Sequence, residues 1–343
     1  MTNDQWTKLL AVLAGETLDP LPVGFVIDSP WLPGWAGVST LDYYAGDQTW
    51  LEANLKAVQR FPEAMFLPGF WSEYGMCTEP SAFGTKCRWA ERDLPYAEKI
   101  IHTVDDIADI AKPDPRTDGL LPFVVRRLQL HQERIEKAGH AIRFAVARGP
   151  LNIATFLMGT TEFLMAVRTD PDEIARLLTL ITDFTVDWLH FQKECFPSVE
   201  GIFVLDDIVG FLGEEDFRQA ALPYLRQIFG CLDVPVRFFH NDAQGLVTAG
   251  FLEEMGVNLF NFSYEHSLSE MKQRTGETVT LLGNIPPRDV LAQGTPADVE
   301  AAVQAALDPL DDRSRIILSC GGGMPPGVPT ENLTAFIESA QVL

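Results

Sequence analysis

Three residues at the ends of two apolar runs carry the most pointed chemistry in the chain. His240 and Asp242 lie in VRFFHND (236–242), and Cys320 lies in RIILSCGGG (315–323). On a strand, His240 and Asp242 are two apart and share a face. Imidazole, carboxylate and thiolate are all zinc ligands, and three protein ligands plus an open position form the usual catalytic arrangement. A hydrogen-bonded His–Asp pair beside a packed cysteine fits the same spacing, so spacing alone does not separate the two.

Asp206 and Asp207 close a third run, IFVLDD (202–207). Adjacent strand residues point to opposite faces. One Asp can therefore serve as a general base or hold an amine at the centre of the fold, while the other caps a loop or helix. Asn261 and Asn284 each offer one acceptor and two donor positions, suited to reading the edge of a heterocycle or to local loop bonding. Arg148, just before Gly149-Pro150, can clamp a carboxylate or pair with an internal acid. Asp28 ends the first run, and Glu73 and Tyr74 are acid–base candidates that also fit a solvated loop. Trp31 belongs to SPWLPGWAGVSTLDYY (29–44), whose aromatics either wall a pocket for a flat ligand or pack the loop. Gly321–Gly323 could cradle an anion, but GxGxxG and the P-loop Lys-Ser/Thr are missing, as are GxSxG and HExxH. His102, His131, His140, His190 and His266 read as surface or packing residues.

The elements that must position these groups follow from the apolar pattern. Eight short runs occur, at 23–28, 64–70, 142–148, 202–207, 236–242, 259–264, 279–285 and 315–323. Periodic helical stretches at 171–192, 214–230 and 296–307 lie between them. Strand–helix alternation means a parallel sheet, and eight such strands predict an α/β fold, a single (β/α)8 TIM barrel over residues 1–343 with an N-terminal helical extension. A doubly wound sheet is the alternative. In a barrel the polar residues ending the runs gather on the catalytic face. The 71–100 stretch is too long for an ordinary connection and reads as a lid or binding loop.

Composition bounds the rest. The chain has 343 residues, 26 basic against 48 acidic side chains, and a net charge of −22. That excess argues against nucleic acid and anionic membranes as partners. No signal-peptide pattern and no apolar run of ~18–20 residues is present. Five cysteines without a CxxC predict a reduced, cytoplasmic protein.

From about residue 143 onward the chain resembles the uroporphyrinogen decarboxylase superfamily, which includes cobalamin-dependent methyltransferases. The resemblance rests on ARGPLNIATFLMGTTEFL (147–164), LDDIVGFLGEEDF (205–217), FHNDAQG (239–245), LLGNIPPRDVLAQGTPADV (281–299) and CGGGMPPGVPTENL (320–333). The first 130 residues match loosely. The family fold is a (β/α)8 barrel with its cleft at the C-terminal face. True decarboxylases carry an arginine-rich N-terminal motif for the tetrapyrrole propionates. Here IDSPWLPGWAG has no arginine, Phe156 stands where the family has tyrosine, and Gly322 replaces the histidine of GHG.

The methyltransferase branch is the better likeness. Its thiol-methylating members use an H-x-C pair and a late cysteine as a zinc site. His240 and Cys320 match, whereas Asp242 stands in place of the second cysteine. A carboxylate is a harder ligand and donates less electron density than a thiolate. The resemblance thus implies a methyltransferase working between methylcobalamin on a corrinoid-binding partner protein and a small acceptor, with tetrahydrofolate ahead of a thiol such as coenzyme M. Asp206 or Asp207, Asn261 and Asn284 would read the pterin, and Asp242, His240 or Asp207 would manage its proton. Zinc on His240, Asp242 and Cys320 is the metal version. A decarboxylase using Arg148, and a non-catalytic tetrapyrrole or corrinoid binder using the 29–44 loop, are the alternatives.

Overall fold

All eight apolar runs form parallel strands, because a strand covered on both faces by core and helices must be apolar along most of its length. The computed structural model describes residues 1–27 and 29–342, so Asp28 lies outside the described residues. The barrel strands are β1 (Gly24–Val26), β2 (Met65–Leu67), β3 (Phe144–Arg148), β4 (Gly201–Leu205), β5 (Val236–Asn241), β6 (Leu259–Phe262), β7 (Thr280–Ile285) and β8 (Ile316–Cys320). Strands β3 to β8 make one continuous six-stranded sheet in chain order, and β1 pairs with β2. A parallel bridge between Val23 and Leu318 joins β1 to β8. Among the described residues no ladder joins β2 to β3, so side chains close the ring there. Fold class and the eight strands agree with the sequence expectation.

The inside of the ring is filled by Phe144, Phe203, Phe238, Leu259, Leu282 and Ile317, all buried. Phe203 and Phe238 stack at 4.3 Å. Burying each such ring contributes on the order of 2–3 kcal/mol. The N-terminal extension is helix Asn3–Leu13, started by a Thr2–Gln5 capping box. It lies across the N-terminal ends of the strands. Trp6 packs edge-on against Phe144 at 5.6 Å. Gln5 Nε2 donates to the carbonyls of Pro62 and Ala64, and Val12 O accepts from Thr280 Oγ1. Met1, Trp6, Leu9 and Val12 therefore form the floor of the barrel.

The predicted helix at 296–307 is Pro296–Leu307, capped by Thr295 and Asp298. The one at 171–192 extends to Pro171–Cys195. That at 214–230 is instead two helices, Glu214–Ala220 and Leu222–Phe229. Pro223 lacks an N–H, and its ring collides with the carbonyl four residues back, which breaks the helix. The 71–100 stretch is also double in character. Trp71, Ser72, Glu73, Cys77, Thr78 and Glu79 are buried, whereas Arg88 to Asp93 are exposed around a small hairpin pairing Cys87–Arg88 with Tyr96–Ala97. Its first half is a wall of the barrel rather than a lid. Among the described residues, no single helix is long and apolar enough to cross a membrane.

Candidate active site at the barrel mouth

The strand register determines what meets His240. His240 is the Cα partner of Leu205 on β4 and of Asn261 on β6. The chain leaving β4 therefore carries Asp206 and Asp207 past His240, and Asp206 N donates to His240 O (3.0 Å). Asp207 Oδ1 lies 3.7 Å from His240 Nε2, and Asp242 Oδ2 lies 3.9 Å from the same nitrogen. Asp242 N also donates to Asp207 Oδ1 at 3.0 Å. Side-chain exposure rises outward from 7% at His240 to 36% at Asp207 and 51% at Asp242, so the cluster faces the mouth.

Asn261 determines which imidazole nitrogen is presented. Its Nδ2 donates to the carbonyls of Leu282 (2.8 Å) and Cys320 (3.3 Å), both pure acceptors. Its Oδ1 must then face His240 Nδ1, 2.7 Å away. Nδ1 is consequently the donor, and in the neutral ring the Nε2 lone pair points at the two aspartates. Asn261, buried and without solvent contact, is a positioning residue for His240 and not a reader of substrate. Asp207 is raised to about 6, first by desolvation and then by Asp242, with His240 opposing. The arrangement can take up and release a proton near neutral pH.

Among the described residues, Asp207, His240 and Asp242 are also the one group of three candidate ligands whose donor atoms lie within 4.8 Å of one another. This group differs from the expected ligand set by having Asp207 where Cys320 was expected. Cys320 is buried, and its sulfur donates to Gly322 O at 3.5 Å. One imidazole and two carboxylates fit a divalent cation of hard to borderline character, with Asn261 as the outer partner of the histidine.

Several other candidates have structural tasks. Asp206 is fully buried and accepts from Leu151 N at 2.9 Å, capping helix Pro150–Met158. Burial raises it to about 8. A Cβ on Gly149 would lie 2.3 Å from Asp206 Oδ2, so only glycine fits there. Asn284 is buried, and its Nδ2 donates to His266 O, fastening the loop after β6. Trp31 is buried, donates to Val328 O (3.0 Å) and stacks on Trp35, so it packs its loop instead of walling a pocket. Gly322 has φ +84°, and a Cβ there would lie 2.8 Å from Asp242 Cβ. The glycine run lets the chain after β8 pass Asp242.

Arg148 is not available as a substrate clamp. Its Nη2 donates to Glu73 Oε2 and its Nη1 to Glu79 Oε2, both at 3.1 Å. Ser29 Oγ donates to Glu73 Oε1 (2.6 Å) and Arg148 N to Glu79 Oε1 (3.1 Å). Burial opposes the guanidinium charge, but Glu79 and Glu73 outweigh it and hold Arg148 protonated. Glu73 is therefore a buried ion-pair partner, neither a solvated loop residue nor a substrate ligand. Glu79 and Ser29 escaped the sequence reading because nothing in their local pattern signals contact with a residue 69 or 44 positions away.

The uroporphyrinogen decarboxylase family profile matches residues 4–342. The chain belongs to the uroporphyrinogen decarboxylase family. Its curated relatives include the uroporphyrinogen decarboxylase of Pseudoalteromonas translucida (strain TAC 125), 24% identical over 99% of this chain and 96% of that protein. The Xylella fastidiosa uroporphyrinogen decarboxylase is 25% identical over 98% of each. Among solved structures, a methyltransferase from Methanosarcina mazei superposes with a TM-score of 0.82 at 19% identity, covering 98% of both chains. A B12-independent methionine synthase from Shewanella sp. W3-18-1 superposes at 0.58 and 12% identity, over 93% of this chain and 97% of that one. At such identities these structures establish the barrel fold alone. The family match covers the N-terminal third, where the sequence motifs were loose.

Proposed function

We propose that this member of the uroporphyrinogen decarboxylase family transfers a methyl group between a corrinoid held on a partner protein and a small acceptor whose reacting atom is an amine, as in tetrahydrofolate. One observation carries the reading: among the described residues, the mouth cluster presents an imidazole nitrogen between two carboxylates. Activating a thiol calls for an electron-rich, sulfur-ligated metal. Methylating an amine calls for a place to put a proton. As the amine nitrogen bonds to the methyl carbon, the cobalt keeps the electron pair of the broken Co–C bond. His240 Nε2 takes the N–H proton, and Asp207 and Asp242 stabilise the imidazolium formed. In reverse, the same groups return the proton.

In a metal-bound alternative, His240, Asp207 and Asp242 would instead hold zinc, which would supply Lewis acidity at the mouth and occupy the Nε2 lone pair, so that His240 would not take the proton. Metal analysis after chelator-free purification tests this: less than about 0.2 zinc per chain overturns a dedicated site.

The decarboxylase reading has less support, because both glutamates already engage the Arg148 guanidinium that would clamp a substrate carboxylate. The deciding assay offers methylcobalamin and either tetrahydrofolate or coenzyme M, followed by the visible spectrum. Demethylation with tetrahydrofolate, slowed about 10²–10⁴-fold in His240→Gln, is the expected result for loss of a general base. Demethylation with the thiol alone overturns the amine assignment. No demethylation with either acceptor overturns methyl transfer itself.

A further inference from the structure

Outside the His240 and Arg148 clusters lies an open groove of about 630 Å³, lined by Trp35, Lys56, Arg60, Val328 and Thr330 among others and by no acidic side chain. With 48 acidic against 26 basic residues in the chain, such a lining runs against the overall charge. Lys56 and Arg60 are four apart on helix Asp47–Arg60 and share a face. Both are exposed. Among the described residues neither is paired with a carboxylate: Lys56 Nζ donates to Ala36 O (3.2 Å) and Arg60 Nη2 to Thr334 Oγ1 (3.4 Å). Aromatic rings hold them instead. Lys56 Nζ lies 5.0 Å from the centre of the Trp35 ring, and the Arg60 guanidinium 5.1 Å from that of Phe61. Trp35 is itself fixed, since it stacks on Trp31 at 5.0 Å and its Nε1 donates to Thr330 Oγ1 (3.0 Å). Thr330, the first residue of helix Thr330–Val342, accepts there and keeps its own hydroxyl proton to give.

We propose that this groove binds a small organophosphate, with Lys56 and Arg60 taking the phosphate group. An aromatic face steadies a cation without neutralising it, so both charges remain available to a ligand and are already positioned for one. Side chains one helical turn apart stand about 5–6 Å from each other at Cβ. That spacing suits a single dianionic group better than two separate carboxylates. A phosphate monoester carries close to two charges and three acceptor oxygens. Arg60 spends Nη2 on Thr334 and keeps its other N–H groups for a phosphate edge, while Lys56 acts as a point charge. The Thr330 hydroxyl offers a third donor. The positive end of its helix adds to the same field, and Glu331 in its first turn does not line the groove. The organic part of the ligand lies along Val328 and Trp35. The net charge of −22 disfavours loose adherence of anions elsewhere, because only charges within about 8–10 Å escape screening. This inference does not depend on the methyl-transfer reading.

Calorimetric titration of the full-length protein at low ionic strength tests this, with ribose 5-phosphate, inorganic phosphate and succinate as the probes. Ribose 5-phosphate should saturate a single site with a dissociation constant below about 1 mM. Inorganic phosphate should bind more weakly, and succinate more weakly still. Lys56→Gln and Arg60→Gln should each weaken ribose 5-phosphate about 10-fold, as expected for loss of one charge-assisted hydrogen bond. Lys56→Arg keeps the charge and should retain most of the binding. His240→Gln should bind as wild type does, which separates the groove from the mouth. Thermal melts of the variants should match wild type, because both side chains are exposed. Absence of saturable binding would overturn the proposal, as would binding that persists unchanged in the Lys56→Gln/Arg60→Gln double variant. Succinate or inorganic phosphate binding as tightly as the ester would overturn the organophosphate assignment. Loss of binding in His240→Gln alone would move the ligand to the mouth and overturn the groove.

Discussion

At one side of the barrel mouth a guanidinium faces two carboxylates, and at the other an imidazole faces two carboxylates. The counts are alike and the environments are opposite. Around Arg148, the side chains of Arg148, Glu73 and Glu79 are 11%, 3% and 3% exposed. All four carboxylate oxygens there accept a hydrogen bond, from Arg148 Nη1, Nη2 and N and from Ser29. Around His240 the two carboxylates open to solvent, and among the described residues no cation compensates them unless the imidazole takes a proton. The first cluster is saturated and closes the gap between β2 and β3. The second keeps spare acceptor capacity directed into the mouth. Saturation by hydrogen bonds, more than the presence of charge, separates a structural ion cluster from a chemical one.

The comparison can be broken most severely at Arg148. Arg148→Met leaves two buried carboxylates without their cation and should lower unfolding free energy by about 3–5 kcal/mol, read by urea denaturation. His240→Gln should change it by no more than ~1 kcal/mol. Equal losses in the two variants would mean that both clusters are structural.

Asp206 tests the boundary between the two regions, since it adjoins the chemical cluster but is buried like the structural one. Burial lifts it to about 8. Between its unfolded value near 4 and about 8, the folded chain holds a proton that the unfolded chain has released. Stability therefore falls as pH rises through that window. Asp206→Asn removes the titrating group, so wild type should lose on the order of 1–3 kcal/mol relative to the variant between pH 5 and 8, followed by Tm. Parallel Tm curves would show that Asp206 does not hold its proton.

The smallest effect sharpens the chemical side. Asp207 is raised to about 6, and its ionised form is the one that supports an imidazolium. Methylcobalamin demethylation should rise from pH 5 to 7 in wild type. Asp207→Asn should be about 10-fold slower at pH 7 and lack that rise. A rise that persists unchanged in the variant assigns it to another group.

The barrel was legible because strands buried on both faces read as continuous apolar runs, and all eight runs are strands. The break at Pro223 was written in the sequence too, but helical periodicity across it obscured the proline. The site was half legible. His240 and Asp242 share a face by simple alternation, and Asp207 came forward as one of a pair. Cys320 was placed in the cluster because it ends a strand, yet the position of its sulfur depends on the turn through Gly322. Asn261 was visible as a residue but not in its role, which needs the register of β5 against β6. The Arg148 cluster joins residues 69 and 75 positions apart, and no periodic pattern reports a contact of that range.

The floor made by Met1, Trp6, Leu9 and Val12 has a consequence for traffic through the molecule. With the ring filled by side chains and its base closed, the molecule offers no passage through its middle, and a small reactant can reach His240 from the rim alone. If the proposed reaction brings a large partner to that same rim, the two share one doorway. Steady-state kinetics should then be ordered, small reactant first, with inhibition by excess of the large partner.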